Sequence, residues 1–336
     1  MRIPSRISPS GLAKYEKDRE SFYLTYCAEP RLERDPQPVA ASVGSAFDAF
    51  VKAKLVSDLF GNETFEELFE SQVEPQNRDF AHEAGQHIME NYLYCGAYAE
   101  LLNLLTDAQE EPQFEFNANT VVGGIPIAGK PDCRFVHKDG AHIILDWKMN
   151  GYCGSKSAVS PSKGYMICRD GMGWPEKGSR SHGKPHALYE PDEYLGIPVN
   201  KFSLEQISID WADQCTMYGW MMGEEVGSQE VVVRIEQGVG KPTGDGGALN
   251  GHKPLLRFAT HSCRITPEYQ KQLFNRLKKM WDSIQSQHIF DELSKTESDA
   301  KCADMDKRVF SMLSDGTAEQ DFFAQCARPR SFYKGR

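Results

Sequence analysis

Hydrophobic and polar positions along this chain follow two rhythms, and the change between them marks out the elements. Residues 43–108 repeat apolar side chains every three or four positions, the spacing of packed helices. Residues 5–29 open in the same way. Ser8-Pro9-Ser10 supplies a helix cap and a proline for the first turn, and Leu12, Tyr15, Phe22, Tyr23 and Tyr26 follow. After Pro112 the rhythm becomes that of strands. Gln113-Phe114-Glu115-Phe116-Asn117 alternates, residues 122–132 read as one strand, and residues 143–148 form a short apolar run between the turn-prone pairs Asp139-Gly140 and Asn150-Gly151. Asp139-Gly140 can fold the second of these strands back on the third as a hairpin.

Further along, Trp211, Gln214, Cys215, Tyr218 and Met222 recur at helical spacing. Residues 229–237 and 255–265 read as two strands joined by a Gly-rich loop over 238–251. Thr266-Pro267-Glu268 opens a helix with a cap, a proline and an early acid. The order is helices, three strands, an insertion, a helix, two strands and a helix. It predicts an α/β fold with a mixed central sheet flanked by helices.

The 143–148 strand carries a discrepancy. Asp146 and Lys148 interrupt a run of Ile and Leu, and residues two apart on a strand point to one face. Burying either charge alone is costly, so each needs a partner or a role. Asp132, at the end of the neighbouring strand, approaches Asp146 across the hairpin. Two carboxylates held together repel unless a proton or a cation joins them. A hard divalent ion such as Mg²⁺ or Mn²⁺ suits oxygen ligands. The other reading of these residues is an exposed hairpin with a surface ion pair. Gln214 and Tyr218, at i and i+4, share one helix face and can reach one site together, or serve as core residues with a hydrogen-bonded glutamine.

Bulk properties narrow the function classes. Over 336 residues the formal net charge is −10, which argues against a protein that coats nucleic acid with an overall basic surface. Residues 150–204 are the exception, rich in Gly, Ser and Pro, with Lys156, Lys163, Arg169, Lys177, Arg180 and Lys184. This insertion is either a phosphate-holding segment, with a small hairpin around Tyr165 to Trp174, or an ordinary surface loop. The nine cysteines are scattered and contain no Cys-X-X-Cys, the pattern of free thiols in a reducing compartment. No apolar leader or bilayer-length segment is visible, so the expectation is a soluble, cytoplasmic protein with no membrane partner. Glu63, Glu66, Glu67 and Glu70 read as a solvated face, and His82 and His87 are poorly spaced for a metal.

Pro131-Asp132 followed by Asp146-Trp147-Lys148 resembles the PD-(D/E)XK nuclease superfamily. The later Gln214-X-X-X-Tyr218 helix resembles its RecB-like exonuclease branch, as does the Ser8-Pro9-Ser10 opening. The resemblance spans residue 8 to about residue 290. It implies a restriction-endonuclease-like core as a single domain over 1–290, with 43–108 as a helical addition, 150–204 as an insertion after the catalytic strand, and 291–336 as a tail or docked helix.

The resemblance also implies roles. Asp132 and Asp146 bind Mg²⁺ or Mn²⁺, Lys148 assists the attacking water, and Gln214 and Tyr218 position the substrate strand or Lys148. The Gly44-X-X-X element carries Asp48 where relatives carry a histidine. This is a departure that still offers an oxygen ligand to the metal. Glu115 stands where relatives have an acid and is a further candidate. Some relatives hold an iron–sulfur cluster through one early and three late cysteines, but Cys263, Cys302 and Cys326 lack the close spacing, so none is predicted.

The resulting expectation is a metal-dependent deoxyribonuclease, an exonuclease acting on the ends of single- or double-stranded DNA. Its setting would be recombination, repair or phage DNA metabolism in a bacterial or phage-infected cell, alongside a recombination or replication protein. The alternative is a non-catalytic nucleic-acid-binding or assembly protein that retains the fold.

Overall fold

The computed structural model describes residues 1–29, 36–114, 117–154, 191–228, 231–241 and 247–314. Its helices are α1 (Pro9–Lys17), α2 (Arg19–Phe22), α3 (Val39–Phe60), α4 (Phe65–Gln72), α5 (Arg78–Tyr94), α6 (Ala97–Thr106), α7 (Leu204–Ile207), α8 (Ile209–Met221), α9 (Pro267–Gln285) and α10 (Lys295–Ser314). Its strands are β1 (Gln113–Phe114), β2 (Ala118–Val122), β3 (Ile125–Gly129), β4 (Cys133–Val136), β5 (His142–Asn150), β6 (Pro191–Tyr194), β7 (Ile197–Asn200), β8 (Val231–Lys241) and β9 (Leu255–Cys263). Within the segment read as a tail or a docked helix, residues 295–314 form α10. The basic residues of the insertion from Lys156 to Lys184, Glu115 and the tail beyond 314 lie outside the described residues.

Backbone packing divides the chain into two units, where the sequence reading drew one domain over 1–290 and a tail. One unit combines Met1–Asp35, Asn119–Gly129 and Lys271–Arg336; the other combines Pro36–Ala118 and Lys130–Gln270.

The larger unit holds a five-stranded mixed sheet in the order β1-β4-β5-β8-β9. β5 and β8 run parallel, while the other pairs are antiparallel. The alternation along β5 explains how the sheet is covered. Ile143, Leu145 and Trp147 pack with Val43, Phe47, Val51 and Leu55 of α3 and with residues of α5 and α6. Ile144 packs with Ala212, Cys215 and Tyr218 of α8, together with Val233 and Ile235 of β8. Both faces of β5 are therefore buried, which is why the strand reads as a continuous apolar run. Asp146 and Lys148 continue the even-numbered series and belong to the α8 face.

The smaller unit joins its segments through side chains. Ser8 Oγ accepts the N–H of Gly11 at 3.1 Å, so Ser8, of the two serines that could cap α1, is the cap. Arg19 pairs with Asp291, and the Tyr23 hydroxyl donates to Asp306 at 2.9 Å.

One sequence expectation is corrected here. Residues 122–132 are not one strand. Gly123 and Gly124 take φ of 56° and 83° and turn β2 into β3, a two-residue turn of the kind that needs positive φ at both central positions. Lys130-Pro131 then separates β3 from β4, since proline has no N–H for the ladder. The hairpin partner of β5 is β4, turned by Asp139-Gly140 as predicted, with Gly140 at φ 90°.

The two turn glycines differ in their surroundings. A Cβ on Gly123 would lie 2.4 Å from Phe274 Cζ, whereas one on Gly124 would meet nothing within 4 Å. Gly123→Ala is therefore expected to cost about 2–4 kcal/mol, combining backbone strain with overpacking. Gly124→Ala should carry only the roughly 1–2 kcal/mol backbone term. Urea unfolding of both variants checks the order, and equal costs would refute it.

Candidate active site

Three segments of the larger unit meet at the end of β4. The register of the hairpin pairs Cys133 with Leu145, so the next residues outward, Asp132 and Asp146, face each other. Beyond that last pair the ladder stops, and the carboxylate of Asp132 takes over: its Oδ2 accepts the N–H of Trp147 at 3.2 Å. α8 crosses the same face of β5 with its start fixed by Ser208, whose Oγ accepts the Trp211 N–H at 3.4 Å. That start brings Gln214 and Tyr218 over the two charged residues of β5.

Gln214 is the hub of the network. Its Oε1 accepts from Lys148 Nζ at 3.1 Å, and its Nε2 donates to Asp146 Oδ1 at 3.2 Å and to the Tyr218 hydroxyl at 3.0 Å. Only this orientation of the amide suits a donor on one side and a carboxylate on the other. Lys148 Nζ also lies 2.5 Å from Asp146 Oδ2. That oxygen is buried and lacks an aligned hydrogen bond. Of the sequence-predicted residues, Asp132, Asp146, Lys148, Gln214 and Tyr218 are thus gathered at one place.

Asp48 is drawn to the same place through a residue the sequence reading missed. Lys52, one turn further along α3, places its Nζ 2.6 Å from Asp48 Oδ2 and 3.1 Å from Asp132 Oδ1. Its side chain is fully buried and its ammonium sits 5.6 Å from the centre of the Trp147 ring. The signal was the i, i+4 spacing from Asp48, a spacing that Lys54 and Asp58 share on the exposed side of the same helix. Glu236 and Gln237 were also overlooked, although they interrupt the apolar run of β8. Glu236, fully buried, accepts from Arg234 Nε at 2.7 Å and from Thr260 Oγ1 at 3.0 Å. Gln237 lies beside Lys148 in register, and its Nε2 donates to Asn150 Oδ1 at 2.8 Å.

Within the network of Asp48, Lys52, Asp132, Asp146 and Lys148, taken among the described residues, the formal charges do not balance. Asp48, Asp132 and Asp146 bring three negatives, while Lys52 and Lys148 bring two positives. The surplus falls on Asp146, which is 1% exposed. Burial, then repulsion from Asp132, raises its carboxyl from the ordinary 3.8 to about 7, against the pull of Lys148. Burial works against the charge of Lys148, yet Asp146 and Asp132 hold its ammonium above the usual lysine range. Burial also raises the Tyr218 hydroxyl, which therefore stays protonated. The side chains of Asp132 and Lys148 keep 21% and 25% of their exposure, so the site opens to solvent on their side.

Among the described residues, no three His, Cys, Asp or Glu side chains form a ready-made ion cage. The pair Asp132 and Asp146 nevertheless fits a hard cation. Mg²⁺ is commonly held by one or two carboxylates with waters and substrate oxygens completing its shell. The buried Oδ2 of Asp146, which has Lys148 beside it but no aligned hydrogen bond, and the repulsion between Asp146 and Asp132 are the features such an ion would satisfy.

No family model and no curated protein matches the chain. Among solved structures it is similar to a "putative exonuclease" from Eubacterium rectale, at 13% identity and a TM-score of 0.40, over 86% of this chain and 88% of the other. It is also similar to SSO0001, at 11% identity and a TM-score of 0.23, over 81% and 85% of the two chains. Both scores are too low to carry function across. Among the described residues, no helix is long and apolar enough to cross a membrane.

Proposed function

We propose that this protein is a divalent-metal-dependent deoxyribonuclease of the PD-(D/E)XK type, and more specifically a RecB-like exonuclease acting in recombination, repair or phage DNA metabolism. One observation carries the reading: Asp132 and Asp146 face each other across a hairpin, with Lys148 and the Gln214–Tyr218 face of α8 closing on the same point. A surface ion pair accounts poorly for a carboxylate as buried as Asp146.

Asp132 and Asp146 would hold Mg²⁺ or Mn²⁺, which when bound supplies Lewis acidity and an activated water. The chain's own groups do the positioning. Gln214 fixes the ammonium of Lys148 against Asp146 through its two-sided hydrogen bonds, and Tyr218 holds Gln214 in turn. Lys148 remains protonated and lies toward solvent, where it faces a phosphate oxygen and stabilises the negative charge that grows as water adds to phosphorus. The P–O bond to the leaving sugar then breaks, the attacking water gives up a proton to solvent, and the leaving oxygen takes one from solvent, so that the phosphate keeps the new oxygen and the sugar leaves as an alcohol. Asp146 acts as a carboxylate in this scheme, because a cation beside it favours the ionised form.

A second reading is favoured by Lys52. Its ammonium already spans Asp48 and Asp132, as expected of a protein that kept the fold to bind nucleic acid without turnover. End-labelled linear DNA and closed circular DNA, each with and without Mg²⁺, separate the two. The nuclease reading expects Mg²⁺-dependent degradation of the linear substrate with the circle spared. Binding without loss of either substrate, in Mg²⁺ and in Mn²⁺, would favour the second reading and reject the first.

A further inference from the structure

We infer that Lys52 is a built-in competitor of the metal ion: its ammonium holds Asp132 in the ion-free protein and must release it when a divalent cation binds. The inference rests on the metal-dependent reading above and adds a residue that reading does not assign.

The geometry is that of a bridge. Lys52 Nζ contacts Asp48 Oδ2 at 2.6 Å and Asp132 Oδ1 at 3.1 Å, so it stands where a cation shared by those carboxylates would stand. The two contacts differ in kind. Asp48 is four residues away on the same helix, so that bond moves with α3 and persists whatever the strands do. Asp132 lies at the end of β4, outside the ladder, where its other oxygen is already anchored by the Trp147 N–H. The Asp132 contact is therefore the one that can yield.

The Trp147 ring, 5.6 Å from the ammonium, gives Lys52 a second favourable surface when it turns from Asp132. An ion between Asp132 and Asp146 would carry two positive charges against one on Lys52. At such short range repulsion between them is large even at a protein-like dielectric. Displacement of Lys52 from Asp132 follows.

The opposite role is a permanent brace, in which Lys52 orients Asp132 for the ion. The two roles predict changes of opposite sign. The test is calorimetric titration of the EDTA-stripped full-length protein with MnCl₂, without DNA. Competition expects Lys52→Met to bind Mn²⁺ at least tenfold more tightly than the wild type, with a correspondingly larger rise in melting temperature on adding the ion.

Because Lys52→Met leaves three carboxylates close together, the double variant Asp48→Asn/Lys52→Met accompanies it. It preserves the net charge and still frees Asp132, so it too should bind more tightly than wild type. Wild-type binding with equal or weaker binding in the folded variants overturns the inference about Lys52 and leaves the metal reading standing. Absence of Mn²⁺ binding in the wild type as well as in both variants overturns both.

Discussion

Lys148→Ala is expected to lower DNA cleavage by roughly 10²–10⁴-fold while leaving a folded protein, the range seen when one positioned donor or proton-transfer group is removed. The loss follows from geometry. Lys148 is the ammonium at the solvent-facing side of the Asp132 and Asp146 pair, and Gln214 holds it there at 3.1 Å. Removing the side chain takes away the group that faces the developing charge without emptying the core, because the apolar neighbours of β5 belong to other residues.

The fold should survive for an electrostatic reason as well. Asp146 already titrates near 7, so without Lys148 it holds its proton more firmly and does not remain a buried bare charge. Lys148→Arg should be nearly as inactive, since a planar guanidinium cannot occupy the place of a point-like ammonium between Gln214 and Asp146. Single-turnover cleavage of end-labelled DNA in excess Mg²⁺, with circular dichroism as the folding control, gives the measurement. Wild-type rates in a folded Lys148→Ala protein would remove the basis of the assignment.

The second large effect concerns stability rather than turnover. In metal-free buffer, Asp146→Asn is expected to gain on the wild type as pH rises from about 4 to about 7, with the difference between them then constant above about 8. The carboxyl of Asp146 is raised from 3.8 to about 7 by burial and by Asp132. Between those values the folded protein holds a proton that the unfolded chain has lost, so raising the pH destabilises the fold through this group. The whole window corresponds to a change on the order of 4 kcal/mol.

Lys148 does not produce this slope. Its raised pKa contributes stability throughout that range and gives it up only in strongly alkaline solution. The comparison with Asp146→Asn isolates Asp146 together with the groups that interact with it, because ionisable groups remote from the site are common to both proteins. Urea unfolding in EDTA at half-unit pH steps reads the difference. A difference that stays constant from pH 4 to 8 would mean that Asp146 is an ordinary carboxylate and that the charge surplus of the site lies elsewhere.

Much of this site could be read from residue order because its parts are local patterns. Asp146 and Lys148 stand two apart in an apolar strand, which places them on one face in any sheet. Gln214 and Tyr218 stand four apart in a helix, which does the same there. The cap at Thr266 was equally plain, and that of α1 was narrowed to Ser8 or Ser10, for each is a bond within one turn of its own helix. The strand over residues 122–132 went wrong. Residues 122–132 were read as continuous although Gly123-Gly124 is a turn signal and Pro131 a strand breaker. A turn with positive φ at two successive glycines and a proline without an N–H both cut it.

Residue order therefore determined which side chains share a face and which elements carry them: the charged strand, the Gln214 helix, the Asp48 helix and the mixed α/β order. Tertiary structure alone decided the rest. It set the register that puts Asp132 opposite Asp146, the seating of α8 that makes Gln214 a bridge to Lys148, and the reach of Lys52 across 80 residues to Asp132. It also decided which of three carboxylates carries the surplus charge. The physical reason is range: periodicity encodes neighbours within a turn or a strand, whereas a pKa or an ion pair depends on the burial and distance of groups that meet only when the chain has folded.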